Sequence, residues 1–124
     1  MYRKIILALI LSSSAAIAHE MTPTYPKFYP SYMDGISTTK MNLFNRRTDV
    51  DYYEISVFDN MWKPIKFATE NRIIPLKYLE KINIEIFIKK QDVKKVEYIC
   101  TKSKLVKGNI LTSGVSSRIC SRVK

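Results

Sequence analysis

The chain has 124 residues, of which 21 are Lys or Arg and 11 are Asp or Glu, giving a formal net charge of +10. This length excludes most multidomain enzymes and leaves room for one domain plus a removable segment. Hydrophobic residues make up 46% of the chain and charged residues 26%, a composition typical of a globular domain and far from that of a disordered chain.

The first eighteen residues have the three-part pattern of a secretory signal peptide. A positive head is followed by an apolar run over residues 5–11 and by small side chains just before His19. That order predicts cleavage before His19, because the apolar run is far shorter than the roughly 20 residues that span a membrane. We therefore expect residues 1–18 to be removed. Residues 19–124 would then form one exported domain, periplasmic or extracellular, with no membrane-spanning segment.

After the cleavage site the sequence predicts strands separated by turns. Residues 19–32 contain three prolines among four aromatic side chains, which argues against a helix and favours an extended edge segment. Residues 38–45 and 52–58 alternate in polarity as strands do. Residues 62–67 form a shorter segment interrupted by proline. The isoleucines at 73–74 precede another proline, which predicts an edge or a connection.

The strongest strand signal covers residues 81–89. One face of this segment is formed by four isoleucines, Ile82, Ile84, Ile86 and Ile88. Residues 91–95 suit a single helical turn, and two further strands over 96–104 and 115–123 are joined by turn-forming residues at 107–109. The total is about seven strands with turn signals every 8–12 residues, which predicts an all-β, antiparallel β-sandwich.

The two cysteines, Cys100 and Cys120, are predicted to form a disulfide. Folding the last two strands into a hairpin centred near Ile110 places them directly opposite each other, with Cα atoms roughly 4.5 Å apart in a non-hydrogen-bonded pair. An exported chain favours this pairing, since two cysteines and a distant histidine do not make a zinc site. The bridge is expected to contribute about 3 kcal/mol to stability.

Several short motifs resemble those of immunoglobulin-like domains. Residues 98–100, Tyr-Ile-Cys, resemble the Tyr-x-Cys of the sixth strand, although no earlier cysteine is present for the usual inter-sheet bridge. The layout is most similar to the amino-terminal domain of periplasmic pilus-assembly chaperones, with a proline-interrupted first strand, a second strand at 39–45 and a third strand and hairpin at 53–62. The resemblance implies an immunoglobulin-like fold over about residues 22–124 and export. The family's subunit-anchoring Arg and Lys have no matching positions here, so activity is not carried over.

The sequence contains few residues that could carry out catalysis. His19 is the single histidine, and the carboxylates cluster at predicted turns, so no general acid–base pair or activated nucleophile is indicated. We therefore expect no enzymatic activity, no cofactor and no metal site. One alternative stays open, because a free amino group and imidazole at His19 would bind Cu(II), with Met21 and Met33 as soft ligands. The other interpretation of His19 is a flexible polar terminus.

Basic side chains are concentrated on the predicted carboxy-terminal hairpin. In the register set by the cysteines, Lys102 faces Arg118, while Lys104 and Arg122 point to the same side as the disulfide. Like charges directly opposite each other are destabilising, so this face needs an acidic partner, an anionic surface or nearby carboxylates such as Glu85. The alternative is a solubilising exposed face. The four basic residues are the predicted partner-binding residues.

The sequence thus favours a small, exported, non-enzymatic binding module that uses a sheet edge or the basic hairpin face. Residues 22–32 and 115–123 are the candidate edges for pairing with a partner strand. The expected partner is a protein or an anionic surface, and not nucleic acid. Two alternatives remain, a periplasmic copper-binding protein that uses His19 and a phage-encoded virion-associated or host-surface protein.

Overall fold

The computed structural model describes residues 19–104 and 116–123, which form two antiparallel sheets packed into a sandwich. Eight strands and one 3-10 helix, Lys90–Lys95, are present in these ranges. In chain order the strands are β1 Glu20–Thr22, β2 Tyr29–Pro30, β3 Ile36–Phe44, β4 Tyr52–Phe58, β5 Ile73–Pro75, β6 Lys81–Lys89, β7 Tyr98–Lys104 and β8 Arg118–Arg122. The predicted all-β sandwich is confirmed.

The first sheet is built around β3. Strand β6 pairs with β3 over its whole length, and the short strands β1 and β2 pair with opposite ends of the other edge of β3. The proline-rich segment therefore forms two short edge strands, which accounts for eight strands where the sequence predicted about seven. The second sheet has the order β5-β4-β7-β8, so β8 is its last strand.

The core lies between the sheets and follows the period-two alternation of the strands. On β6, Ile84, Ile86 and Ile88 are buried and Ile82 is half-buried, as the sequence predicted. They pack with the inward side chains of the other long strands, Met41, Leu43, Tyr53, Ile55, Val57 and Ile99. The opposite faces of these strands point away from the core, on the outer sides of the two sheets.

Some element boundaries differ from the predicted ones. Residues 62–67 form no strand and make one isolated bridge, between Pro64 and Phe58, because proline lacks the N–H that a ladder requires. Strand β7 starts at Tyr98, since the N–H of Val96 bonds to the Val93 carbonyl at the end of the 3-10 helix. The predicted signal peptide and the turn at 107–109 lie outside the described residues, as does the predicted start of the last strand at residue 115. No helix within 19–104 and 116–123 is long and apolar enough to span a membrane.

Candidate binding surface on the second sheet

The predicted disulfide joins the last two strands of the second sheet. Cys100 lies directly opposite Cys120 in the β7–β8 ladder, with Cα atoms 4.1 Å apart, and the two sulfurs are bonded. The flanking pairs are the hydrogen-bonded ones, because Ser103 N–H donates to the Ser117 carbonyl. The cysteines therefore occupy a non-hydrogen-bonded pair, and the register inferred from their spacing is confirmed.

This register fixes which backbone groups of β8 face outward. Because hydrogen-bonded and non-hydrogen-bonded pairs alternate in an antiparallel ladder, Ile119 and Ser121 direct their N–H and C=O groups toward β7. Arg118, Cys120 and Arg122 direct theirs away from it. Within the described ranges, no strand pairs with this outer side. The edge of β8 thus presents three residues with backbone groups oriented for pairing.

Two of the four predicted partner-binding residues form ion pairs. Lys104 Nζ lies 2.6 Å from a carboxylate oxygen of Glu54 on β4, and Arg122 Nε lies 2.8 Å from Glu97. The proposed role of Glu85 is wrong, because Glu85 belongs to β6 in the other sheet. Glu54 on β4 and Glu97, just before β7, pair with these cations instead.

The other two predicted residues form no ion pair within residues 19–104 and 116–123, although Glu54 lies opposite Lys102 in the β4–β7 ladder. Lys102 and Arg118 are directly opposite each other in the ladder, and both are exposed. Neither forms an ion pair with any residue in the described ranges. The Arg118 guanidinium instead lies over the Phe58 ring, 5.5 Å from its centroid. Of the four basic residues, Lys102 and Arg118 are therefore the two that have no ion-pair partner in the described ranges.

An aromatic cluster adjoins the Arg118 guanidinium, and sequence reasoning missed it. Phe58, Trp62 and Tyr98 lie together on the outer side of the second sheet, with Trp62 stacked on Tyr98 at a centroid distance of 4.2 Å. One signal for it is present in the sequence: the alternation along β4 places Phe58 on the side facing away from the core. Nothing local in the sequence indicated that Trp62 would fold back onto β7.

A buried polar network lies beneath the start of β8. His19 is only 2% exposed, and its Nε2 lies 2.8 Å from the Thr101 hydroxyl while Nδ1 lies 3.4 Å from the Ser117 hydroxyl. Arg47 reaches the Ser117 hydroxyl as well, at 3.5 Å, and is held by Asp49 through two hydrogen bonds of 2.9 and 2.6 Å. The network connects the amino-terminal segment to β7 and to the residues just before β8.

The interpretation of His19 as a flexible polar terminus is therefore wrong. Both ring nitrogens contact hydroxyl groups, and the ring packs against Tyr53 at a centroid distance of 4.5 Å. A metal at His19 would have to displace these contacts. Over 19–104 and 116–123, no group of three or more His, Cys, Asp or Glu side chains is placed to hold a metal ion.

Electrostatics in this network reflect burial and one ion pair. Burial lowers the pKa of His19 from 6.5 to about 4, a hydrogen bond to the Thr101 backbone acts in the opposite direction, and the positive charge of Arg47 lowers it further. The hydrogen bonds between Asp49 and Arg47 lower the pKa of Asp49 and raise that of Arg47. At neutral pH the imidazole is thus uncharged and the Arg47–Asp49 pair is ionised.

His19 makes the stability of the fold dependent on pH. Its pKa is lower in the folded chain than in the unfolded chain, so its contribution is fully present above pH 6.5 and is lost as the pH falls to about 4. We expect wild type to lose about 2 kcal/mol more of its free energy of unfolding across this interval than His19→Gln does. Urea unfolding at the two ends of the interval measures the difference. Equal losses in both proteins would contradict the prediction.

The comparisons with known proteins bear on the fold. The structure is similar to that of the E. coli chaperone DraB, with a TM-score of 0.59 and 12% sequence identity. The match covers 86% of this chain and 53% of the DraB chain, so the chain spans about half the length of the structure it matches. No family model matches the chain, and no curated protein matches its sequence. The resemblance in fold that the sequence predicted is confirmed.

Proposed function

We propose that this chain is an exported, chaperone-like binding module without enzymatic activity, which holds an extended segment of a partner protein along the outer edge of β8. The observation that carries this proposal is the unpaired edge itself, where Arg118, Cys120 and Arg122 direct backbone N–H and C=O groups away from β7. Such an edge accepts a partner strand through main-chain hydrogen bonds. The similarity in fold to a chaperone supports the same class of function.

The edge is held in a fixed position, which favours binding because little ordering entropy remains to be lost. The Cys100–Cys120 bridge attaches the centre of β8 to β7, and the hydrogen bond from the Ser117 N–H to the Ser103 hydroxyl fixes the residues before it. Arg118 and Arg122 are exposed on the same strand. Charged side chains on an edge disfavour self-pairing, so the edge is suited to a selected partner.

Export is part of the proposal. Disulfides persist in oxidising compartments and are rare in the cytosol, and the pattern of residues 1–18 is that of a secretory signal. Removal of those residues would leave His19 at the amino terminus. The intact mass of the protein recovered from the exported fraction tests this, since a mass that includes residues 1–18 would contradict cleavage.

The edge proposal is tested by comparing Arg122→Pro with Arg122→Ala. Both variants lose the ion pair with Glu97, but only proline also removes the outward N–H while leaving the inward bonds of Ser121 in place. We expect the alanine variant to retain most partner binding and the proline variant to bind at least fivefold more weakly. Partner proteins are first identified by photo-crosslinking to β8 in the exported fraction. Each is then purified without the crosslink, and its affinity for the two variants is measured.

Hydrogen exchange provides the second readout for the same complex. Amides of Ile119 and Ser121 point to β7 and should be protected in the free chain, whereas those of Arg118, Cys120 and Arg122 should become protected only when the partner is bound. If the proline and alanine variants bind equally well and the three outward amides stay unprotected, the partner does not pair with this edge.

A further inference from the structure

Trp62 occupies a backbone conformation that is costly for a bulky side chain. Its φ is +61°, in the left-handed region that residues other than glycine, asparagine and aspartate rarely adopt. The turn that holds it is organised by Asp59, whose carboxylate accepts hydrogen bonds from the N–H groups of Met61 at 2.8 Å and Lys63 at 2.9 Å. The Trp62 N–H donates to the Asp59 carbonyl. Strain of this kind is retained where the surrounding structure holds the residue in place.

The turn places an indole on the outer surface of the second sheet. Trp62 lies parallel to Tyr98, at 4.2 Å between centroids and 2° between planes, and its ring centroid is 5.7 Å from that of Phe58. It nevertheless stays 48% exposed, and the adjacent Met61 is 72% exposed. None of these side chains belongs to the buried core. The strained turn therefore contributes a preformed aromatic surface and not core packing.

A cation lies directly against this surface. Arg118 lies over the Phe58 ring, an arrangement that orients a guanidinium while leaving its N–H edge free for a carboxylate. Lys102 is opposite Arg118 and adds a second cation. Two other cations are already paired: Arg122, directly opposite Tyr98, with Glu97, and Lys104 with Glu54.

We propose that Phe58, Trp62, Tyr98, Arg118 and Lys102 form a platform that binds an acidic segment of a partner protein, with an aromatic side chain of that segment packed on Trp62 and its flanking carboxylates on the two cations. Aromatic and arginine side chains are the residues that contribute most to protein interfaces. The platform lies on the face of the sheet, whereas the proposed strand pairing uses the edge. The two binding surfaces are therefore tested by separate experiments.

The distribution of charge favours a polypeptide over a bilayer. Glu54 lies opposite Lys102 in the β4–β7 ladder, and Glu97 directly precedes Tyr98 and pairs with Arg122, so both carboxylates interrupt the positive surface. A uniformly anionic membrane would meet these carboxylates as well, whereas a peptide can space its own carboxylates to match the cations. In addition, stacking on Tyr98 covers one face of the Trp62 ring, which does not suit insertion between lipids.

Trp62 is the single tryptophan of the sequence, so its fluorescence reports directly on the platform. The probes are three blocked pentapeptides, Glu-Glu-Phe-Glu-Glu, its alanine-centred counterpart Glu-Glu-Ala-Glu-Glu, and Lys-Lys-Phe-Lys-Lys, titrated into the oxidised full chain. We expect a saturable change in emission with the first peptide, at least fivefold weaker binding of the second, and no binding of the third.

Arg118→Glu and Lys90→Glu form a matched pair of variants, because each reverses one exposed positive charge. Lys90 begins the 3-10 helix after β6 of the first sheet, and its N–H donates to the Gly35 carbonyl. We expect Arg118→Glu to weaken binding of Glu-Glu-Phe-Glu-Glu at least tenfold and Lys90→Glu to change it less than twofold. Trp62→Ala, followed by calorimetry, is expected to weaken it at least fivefold and keeps the test valid if Arg118→Glu fails to fold.

Three outcomes would overturn the proposal. Equal weakening by Arg118→Glu and Lys90→Glu would show general attraction by net charge. Binding that leaves Trp62 emission unchanged would place the peptide elsewhere. A blue shift of Trp62 with phosphatidylglycerol vesicles, without a response to any peptide, would assign the platform to a lipid surface.

Discussion

Replacing Cys100 and Cys120 together by alanine is expected to lower the free energy of unfolding by about 3 kcal/mol, a large share of the roughly 5–15 kcal/mol typical of a domain. The bridge joins residues 20 positions apart and is the covalent attachment of β8 to β7. It therefore removes chain entropy from the unfolded state over the segment between the two cysteines. Strand β8 has only five residues and one paired neighbour in the described structure, so it depends on this bridge more than any long strand does.

Urea unfolding of the oxidised wild type, the reduced wild type and the double alanine variant measures this effect. The reduced wild type and the variant should unfold at similar urea concentrations, both well below the oxidised protein. In the variant, the amides of Ile119 and Ser121 should also exchange faster than those of β4, because β8 would separate first. Equal stability of the oxidised protein and the variant would mean that the bridge contributes nothing measurable.

Asn45→Ala is expected to destabilise the fold by about 4 kcal/mol. Asn45 is fully buried at the end of β3, and its amide nitrogen donates to the carbonyls of Val50 at 2.7 Å and Leu76 at 2.9 Å. Its side-chain oxygen accepts from the Arg47 N–H at 2.8 Å and from the Tyr53 hydroxyl at 2.5 Å. Alanine would leave these four buried groups without their partner, and water has little access to replace it.

Tyr53→Phe is the matched control for Asn45→Ala. It removes one hydrogen bond of the same network and keeps the aromatic packing, so we expect a loss of about 1 kcal/mol. Burial raises the pKa of Tyr53 to about 12, so the hydroxyl remains a neutral donor at ordinary pH. Thermal and urea unfolding of both variants give the comparison. A smaller loss for Asn45→Ala than for Tyr53→Phe would show that Asn45 is not the centre of the network.

Some features of this fold were predictable because they depend on local spacing. The alternation of isoleucines over Lys81–Lys89 identifies the buried face of β6, since side chains alternate across any strand. The pairing of Cys100 with Cys120 follows from the symmetry of a hairpin, in which positions equally far from the turn lie opposite each other. The four basic residues of the candidate surface could be assigned to a hairpin face for the same reason.

The sequence also indicates which residues are charged, but it does not indicate which strand lies next to another. Glu85 was the carboxylate expected beside the basic hairpin, yet Glu54 occupies that place because β4 pairs with β7. Alternation assigns a side chain to a face and leaves its neighbour across the sheet undetermined. That neighbour depends on contacts between distant segments, whose formation depends on loop closure and packing of the whole chain.

By itself, then, the sequence determined the strand content, the disulfide register and the concentration of positive charge on one hairpin. Only the tertiary structure decided that His19 is buried beside Thr101, that Asn45 joins Val50 to Leu76, and that Trp62 lies on Tyr98. These contacts connect residues from different loops and strands, and no period in the sequence encodes them. Local patterns record which face each residue occupies, whereas the pairing and packing of distant segments decide which residues each one contacts.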